Sequence, residues 1–457
     1  MGHRQQILSV MVSVMIIFCT TQVVHAQFRA GVASAVITPQ TSIWMSGYGS
    51  RDKPSQSVVQ GLYTKALAIE DTGGKQVVFL TTDIIGLTAE LSDNVAARVS
   101  EKTGLPRSAI LLTASHTHTG PVVGENLRSM YDLPAEEWEK IRGYTRDLED
   151  KMVNVILSAL EQLEPAKMER GNGRAGFAMN RRLFVPGQVV MRDNPIGTVD
   201  HDVPVLKVTD AQGDVKAILF GYACHNTTLS DYGICGDYAG YAQEYLEKRH
   251  HGAAALFFAG CGADANPSPR TGLEYARQHG EELSQAVETV LNEPMTPVDG
   301  TICTAFSSVY LPLTAAPTRE ELQKQLEDKN RFIRNRAKYL LETLEQNGSI
   351  PDQHPCPVQV WGIGKDFLII ALGGEVVSDY SLLFKYQFGK DRTWVAAYAN
   401  DTPAYIPTIR LIREGGYEVE ESMIYYGLHG PWKQEIEPIL TEEVNRLVKE
   451  VRQAGQK

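Results

Sequence analysis

Cysteine is scarce in this chain: six in 457 residues, one of them Cys19 within an apolar N-terminal stretch. The other five, Cys224, Cys235, Cys261, Cys303 and Cys356, fit no zinc-ribbon spacing. Their odd number leaves at least one thiol unpaired within the chain, and Cys224 with Cys235 is the expected local disulfide. Positive charge is also short. A formal net charge of −11 excludes nucleic acid and an anionic membrane surface as the main partner. Beyond the first 26 residues no apolar run is long enough for a stable membrane span. Internal repeats, low-complexity tracts and Pro/Ser-rich linkers are absent, so neither a solenoid nor a disordered chain is expected.

The N-terminal stretch is itself informative. Arg4 gives a positive start, Ile7 to Cys19 is largely apolar, and Val24-His25-Ala26 supplies a cleavage context. Residues 1–26 read as a secretory signal cleaved near Ala26, which predicts an exported protein, periplasmic or secreted. Bulky Phe18 before Cys19 is a poor lipoprotein context. About 430 residues follow, room for one large or two ordinary domains.

Runs bounded by turn residues predict strands at 76–82, 109–113, 203–208, 216–222, 254–258, 367–372 and 394–398. Amphipathic segments predict helices at 89–103, 135–163, 238–250, 273–292, 319–347, 381–386 and 433–451. The alternation indicates an α/β architecture, a mixed β-sheet core flanked by helices. Five of the strands run into polar clusters: Ser-His-Thr-His-Thr-Gly, Cys-His-Asn-Thr-Thr, Gly-Cys-Gly-Ala-Asp-Ala-Asn-Pro, Gly-Gly-Glu and Asn-Asp-Thr-Pro-Ala-Tyr. Active sites of α/β proteins are commonly built from loops at strand ends, so these five predict one composite site.

His116-Thr117-His118 is the sharpest of the five. Alternate residues of a strand share a side, which lets both imidazoles face one site. Neutral imidazole is the commonest metal-binding side chain, and zinc accepts it readily. A pair of ordinary loop histidines is the competing reading of this motif alone.

Together the motifs resemble the catalytic domain of the neutral, non-lysosomal ceramidases, zinc-dependent amide hydrolases. The likeness starts near Phe28 and includes Gly31 to Pro39 and Met45-Ser46-Gly47-Tyr48. It continues to about Pro431 and implies a single ceramidase-like catalytic domain over 27–457. The resemblance implies one zinc ion held by His116, His225, Glu375 and Tyr405. Two imidazoles and a carboxylate leave a coordination position open for water, whose lowered pKa makes hydroxide available to attack a carbonyl. His118 matches a histidine close to the metal and not bound to it, a candidate proton shuttle. Arg181 matches an arginine that bonds a substrate oxygen, and Tyr417 a tyrosine that donates to the substrate carbonyl. Asp237 reads as a helix N-cap.

Two departures separate this chain from the pattern. Where the family has Gly-Asp-x-Ser-Pro, this chain has Ala263-Asp264-Ala265-Asn266-Pro267. An amide cannot replace a hydroxyl as nucleophile, although Asn266 can still bond a substrate. The β-sandwich domain that follows the family's catalytic region is also not expected here. The expectation is therefore a zinc hydrolase of a small-molecule or lipid-like amide, with an esterase or lactonase on a non-lipid or glycosylated substrate as the alternative. Two further classes compete: a cysteine hydrolase built on Cys261, and a non-catalytic binding protein on the same fold. A metallo-β-lactamase-like site needs HxHxDH, and Gly120 and Pro121 break that motif.

Overall fold

The computed structural model describes residues 28–455; the expected signal segment lies outside them. The architecture is mixed α/β. A nine-stranded sheet has the spatial order Ala254–Ala259, Val215–Tyr222, Asp202–Asp210, Glu164–Arg174, Phe28–Val36, Tyr63–Asp71, Gln76–Thr82, Ile110–Ala114, with Thr296–Val298 paired to Glu164–Arg174. Its interior pairings are antiparallel, while the pairing at each end of that order is parallel. Ile110–Ala114 is buried at every residue, as expected of a strand covered on both faces. A second sheet, Ile302–Pro312, Gln353–Ile363, Phe367–Leu372 and Thr393–Ala396, lies beside it. Isolated bridges Thr113–Ala399 and Gly260–Ala396 stitch the chain after Trp394 to the ends of two strands of the first sheet.

The predicted elements form with small shifts. Gln76–Thr82, Phe367–Leu372 and helix Ala89–Thr103 match in full; Thr88 accepts the Leu91 N–H at the start of that helix and left-handed Gly104 closes it. The long helix expected over 319–347 is two helices, Arg319–Gln325 and Arg331–Asn347. The break has a local cause: Asn330 accepts the Phe332 N–H and so starts a new helix. This helical pair joins Ile302–Pro312 to Gln353–Ile363 and rests on the site's rim. There Arg331 donates to Gly49 O, Asn335 donates to Ser129 O at 3.2 Å, and the Phe332 ring meets Tyr425 at 5.0 Å.

Two expectations are corrected. Cys224 and Cys235 are both free and buried: the Cys224 Sγ faces Ala265 O and the Cys235 Sγ faces Gln60. Asp237 is not the N-cap, which is Gly236. Its carboxylate instead accepts the Leu229 N–H at 2.9 Å and the Tyr238 N–H at 2.6 Å, tying a loop to the start of helix Asp237–Arg249.

Candidate metal centre

The strand carrying the HTH motif stops at Ala114, before either histidine. His116 adopts φ 61°, the left-handed region that a non-glycine residue enters at a cost. Its backbone is held there by the bond from His116 N to Ile84 O at 2.9 Å. The two imidazoles thus share a site because of a turn rather than a strand pleat. His225 follows Val215–Tyr222, anchored by its N–H to Ala265 O at 3.0 Å. Glu375 and Tyr405 are register partners in a two-stranded parallel ladder, Glu375–Val376 with Tyr405–Ile406, which sets their side chains on one face.

Each imidazole spends its Nδ1 on a backbone carbonyl: His116 on Ile85 O at 2.6 Å, His118 on Gly47 O at 3.1 Å and His225 on Gly262 O at 3.0 Å. A neutral ring that donates from Nδ1 presents an unprotonated Nε2. Burial drives His118 well below its usual pKa and His225 down to about 4, so both rings are neutral at ordinary pH. The three Nε2 atoms converge. Those of His116 and His118 are 3.1 Å apart, and Glu375 Oε2 lies 3.2 Å from His116 Nε2 and 3.1 Å from His225 Nε2.

Glu375 Oε2 is buried and makes no well-formed hydrogen bond. Its companion Oε1 accepts the Tyr426 hydroxyl. Imidazole lone pairs and an orphaned carboxylate oxygen crowded at about 3 Å repel one another unless a cation sits among them. The donor set fits a divalent metal of the N/O class. His116, His118 and His225 form the cluster that could hold it, so distance draws no line between His116 and His118 of the kind the resemblance implies.

Tyr405 joins the centre through its hydroxyl, 3.2 Å from His225 Nε2, and that oxygen accepts from Arg181 at 3.0 Å. Arg181 is buried on Ala178–Val185, where the ladder to Gln188–Asn194 shifts register between Asn180 and Arg182. It also donates to Asn266 Oδ1 at 3.2 Å, an oxygen shared with the Thr227 hydroxyl at 3.3 Å. Asn266 therefore contacts Arg181 through its carbonyl oxygen. Tyr417 is half-buried, its ring 5.6 Å from Tyr405 and 5.5 Å from the Arg181 guanidinium. All eight residues singled out in the sequence thus fall in one neighbourhood. Arg181, Tyr417 and Met191 line a cavity of about 210 Å³, and Tyr48, Arg51 and Tyr131 line another of about 180 Å³; neither lining includes a metal donor. A roomier hollow of about 670 Å³ beside Pro431 and Trp432 touches none of the donors.

Sequence reasoning missed several neighbours. Tyr398 stacks on His116 at 4.2 Å, Tyr426 holds Glu375, and Glu418 binds Arg181 at 2.8 Å. None sits in a motif with its partner; Tyr426 and Glu375 are 51 positions apart. Gly47 and Tyr48 were visible only as part of a resemblance. Here Gly47 O takes the His118 Nδ1, and the Tyr48 ring lies 5.0 Å from that imidazole. Cys261 is buried, and burial pushes its thiol far above the ordinary value, so no reactive thiolate is on offer.

Residues 28–309 match the family described as neutral/alkaline non-lysosomal ceramidase, N-terminal, and the chain belongs to that family. It is 25% identical over 248 residues to the neutral ceramidase of Pseudomonas aeruginosa, covering 50% of this chain and 35% of that protein. Against neutral ceramidase A of Dictyostelium discoideum the identity is 24% over 240 residues, 50% of this chain and 33% of the relative. The matched segments span about a third of these curated relatives' length. The crystal structure of the Pseudomonas aeruginosa neutral ceramidase superposes with a TM-score of 0.69 at 20% identity, over 92% of this chain and 75% of that one. A ceramidase complexed with C2 gives the same TM-score of 0.69 at 19% identity, over 92% and 76%. The fold is therefore shared. No helix among the described residues is long and apolar enough to cross a membrane.

Proposed function

We propose that this protein is an exported zinc-dependent hydrolase of the amide (N-acyl) bond, its catalytic domain spanning 27–457. The observation that carries the reading is the convergence of Nε2 lone pairs, with every Nδ1 tied to a carbonyl, on the orphaned Glu375 Oε2. His116, His225, Glu375 and Tyr405 would hold the ion. Zinc, when bound, supplies Lewis acidity and acidifies a water to near neutrality. His118, neutral and held by Gly47 O, accepts the water's proton at Nε2 and returns it to the leaving amine nitrogen. Arg181 and Tyr417 donate to the substrate carbonyl oxygen as negative charge develops there. Asn266 keeps the Arg181 fork in place, so no hydroxyl is needed at that position.

The family and its curated relatives support an amide as the bond. An ester or lactone would use the same residues in the same roles, and the substrate panel separates these options. Acetyl and dodecanoyl p-nitroanilides, with the matching p-nitrophenyl esters, should be hydrolysed in a chelator-sensitive, zinc-restored manner. Faster turnover of the amides than of the esters, each relative to its uncatalysed rate, marks an amidase. Full zinc loading without turnover of any member points to a binding protein. Activity that survives chelation and dies with Cys261→Ala would sink the metal mechanism.

A further inference from the structure

We infer that Glu418 is a positioning residue that aims Arg181 at the metal centre, an inference that rests on the hydrolase reading above. A guanidinium carries five N–H donors in a fixed plane, so fixing a few of them fixes the direction of the rest. Arg181 spends Nε on Glu418 Oε1 at 2.8 Å, one terminal nitrogen on Asn266 at 3.2 Å and the other on Tyr405 at 3.0 Å. One N–H on each terminal nitrogen remains for a substrate oxygen, beside the cavity that Arg181 lines with Tyr417. Of the three acceptors only Glu418 is a carboxylate, so it alone balances this buried charge.

Glu418 is itself held from behind. Its Oε2 accepts Arg182 at 2.6 Å, and Arg182 is anchored on Glu414 at 3.1 Å and on Gly415 O at 2.9 Å. The carboxylate is 2% exposed and sits on the turn Tyr417–Glu421. One turn therefore delivers both the Tyr417 ring and the anchor of the Arg181 fork. Glu418 touches no proposed metal donor; its effect on the reaction runs through Arg181.

A double-mutant cycle on the zinc-loaded full chain tests this, read as kcat/KM on the acetyl and dodecanoyl p-nitroanilides with zinc content measured alongside. Glu418→Gln should lower kcat/KM by about 10- to 100-fold and Arg181→Ala by about 10²- to 10³-fold, with zinc kept in excess so that every variant stays loaded. Adding Glu418→Gln to Arg181→Ala should cost less than about twofold more. Glu414→Gln, which loosens Arg182 and the exposed Arg410 without touching Glu418 or Arg181, should stay within about twofold of the parent. If Glu418→Gln does not fold, Glu418→Asp, which keeps the charge and retracts the carboxylate, takes its place in the same cycle. Additive losses in the double variant, or an equal loss in Glu414→Gln, overturn the inference and leave a structural ion pair. A zinc-loaded parent inert on both anilides and on the matching esters overturns the hydrolase reading and this inference with it.

Discussion

At the scale of single residues the site is built from hydrogen bonds that remove alternatives. The carbonyls of Ile85, Gly47 and Gly262 each take an Nδ1 proton and so leave three Nε2 atoms facing one point. Tyr426 does the same for Glu375 by occupying Oε1. Tyr426→Phe should therefore weaken zinc binding about 10- to 100-fold, measured by competition with a chromophoric chelator, though Tyr426 is no ligand. Asp264 shows what burial does to an unpaired carboxylate. It accepts the Ser378 N–H at 2.8 Å and the Ser378 hydroxyl at 2.9 Å, and burial raises its pKa from 3.8 to about 6. The folded state thus binds its proton more tightly than the unfolded chain does. That contribution to stability is present in full below 3.8 and is lost as pH rises to about 6, on the order of 3 kcal/mol. Asp264→Asn should gain stability relative to the parent as pH climbs through that window and hold a constant difference above it. Thermal unfolding at several pH values measures this, and a flat difference throughout contradicts it.

At the scale of elements, the two-residue ladder of Glu375–Val376 and Tyr405–Ile406 presents two proposed donors at once. Gly374, at φ 89°, lets the chain turn into it, and a Cβ there would lie 2.5 Å from Ile406 Cγ1. Gly374→Ala should weaken zinc binding while every donor remains. Gly104→Ala adds a Cβ at φ 75° with nothing within 4 Å and should cost only about 1–2 kcal/mol of stability. Equal zinc affinity in the two variants would contradict the ladder's role. This scale also marks where the sequence was readable. Strands buried on both faces, such as Phe367–Leu372, stand out as apolar runs, and so do the polar clusters that follow them. Glu164–Arg174 does not, because charged and glycine residues interrupt it and its strand character comes from its partners on either side. The turn that swings His116 out of its strand was equally hidden, since it depends on Ile84, a residue 32 positions earlier, accepting its N–H. The family resemblance supplied the grouping of the eight site residues; the residues alone supplied only the strand-end clusters.

At the scale of the whole molecule, the five cysteines among the described residues are buried and free, which makes the fold report on itself. In a protein beginning at Gln27, a water-soluble thiol reagent should find none of them under native conditions. All five should react together across the denaturant midpoint. Stepwise labelling well before unfolding would show a looser molecule. The central claim is that strand ends from two sheets converge to make one zinc site. Its most direct test is the metal content of purified, zinc-equilibrated and dialysed protein beside the His225→Ala and Glu375→Gln variants. The account predicts about one zinc per chain in the parent and almost none in either variant, with folding unchanged by circular dichroism. A parent that retains no zinc, or variants that retain as much as the parent, would contradict it.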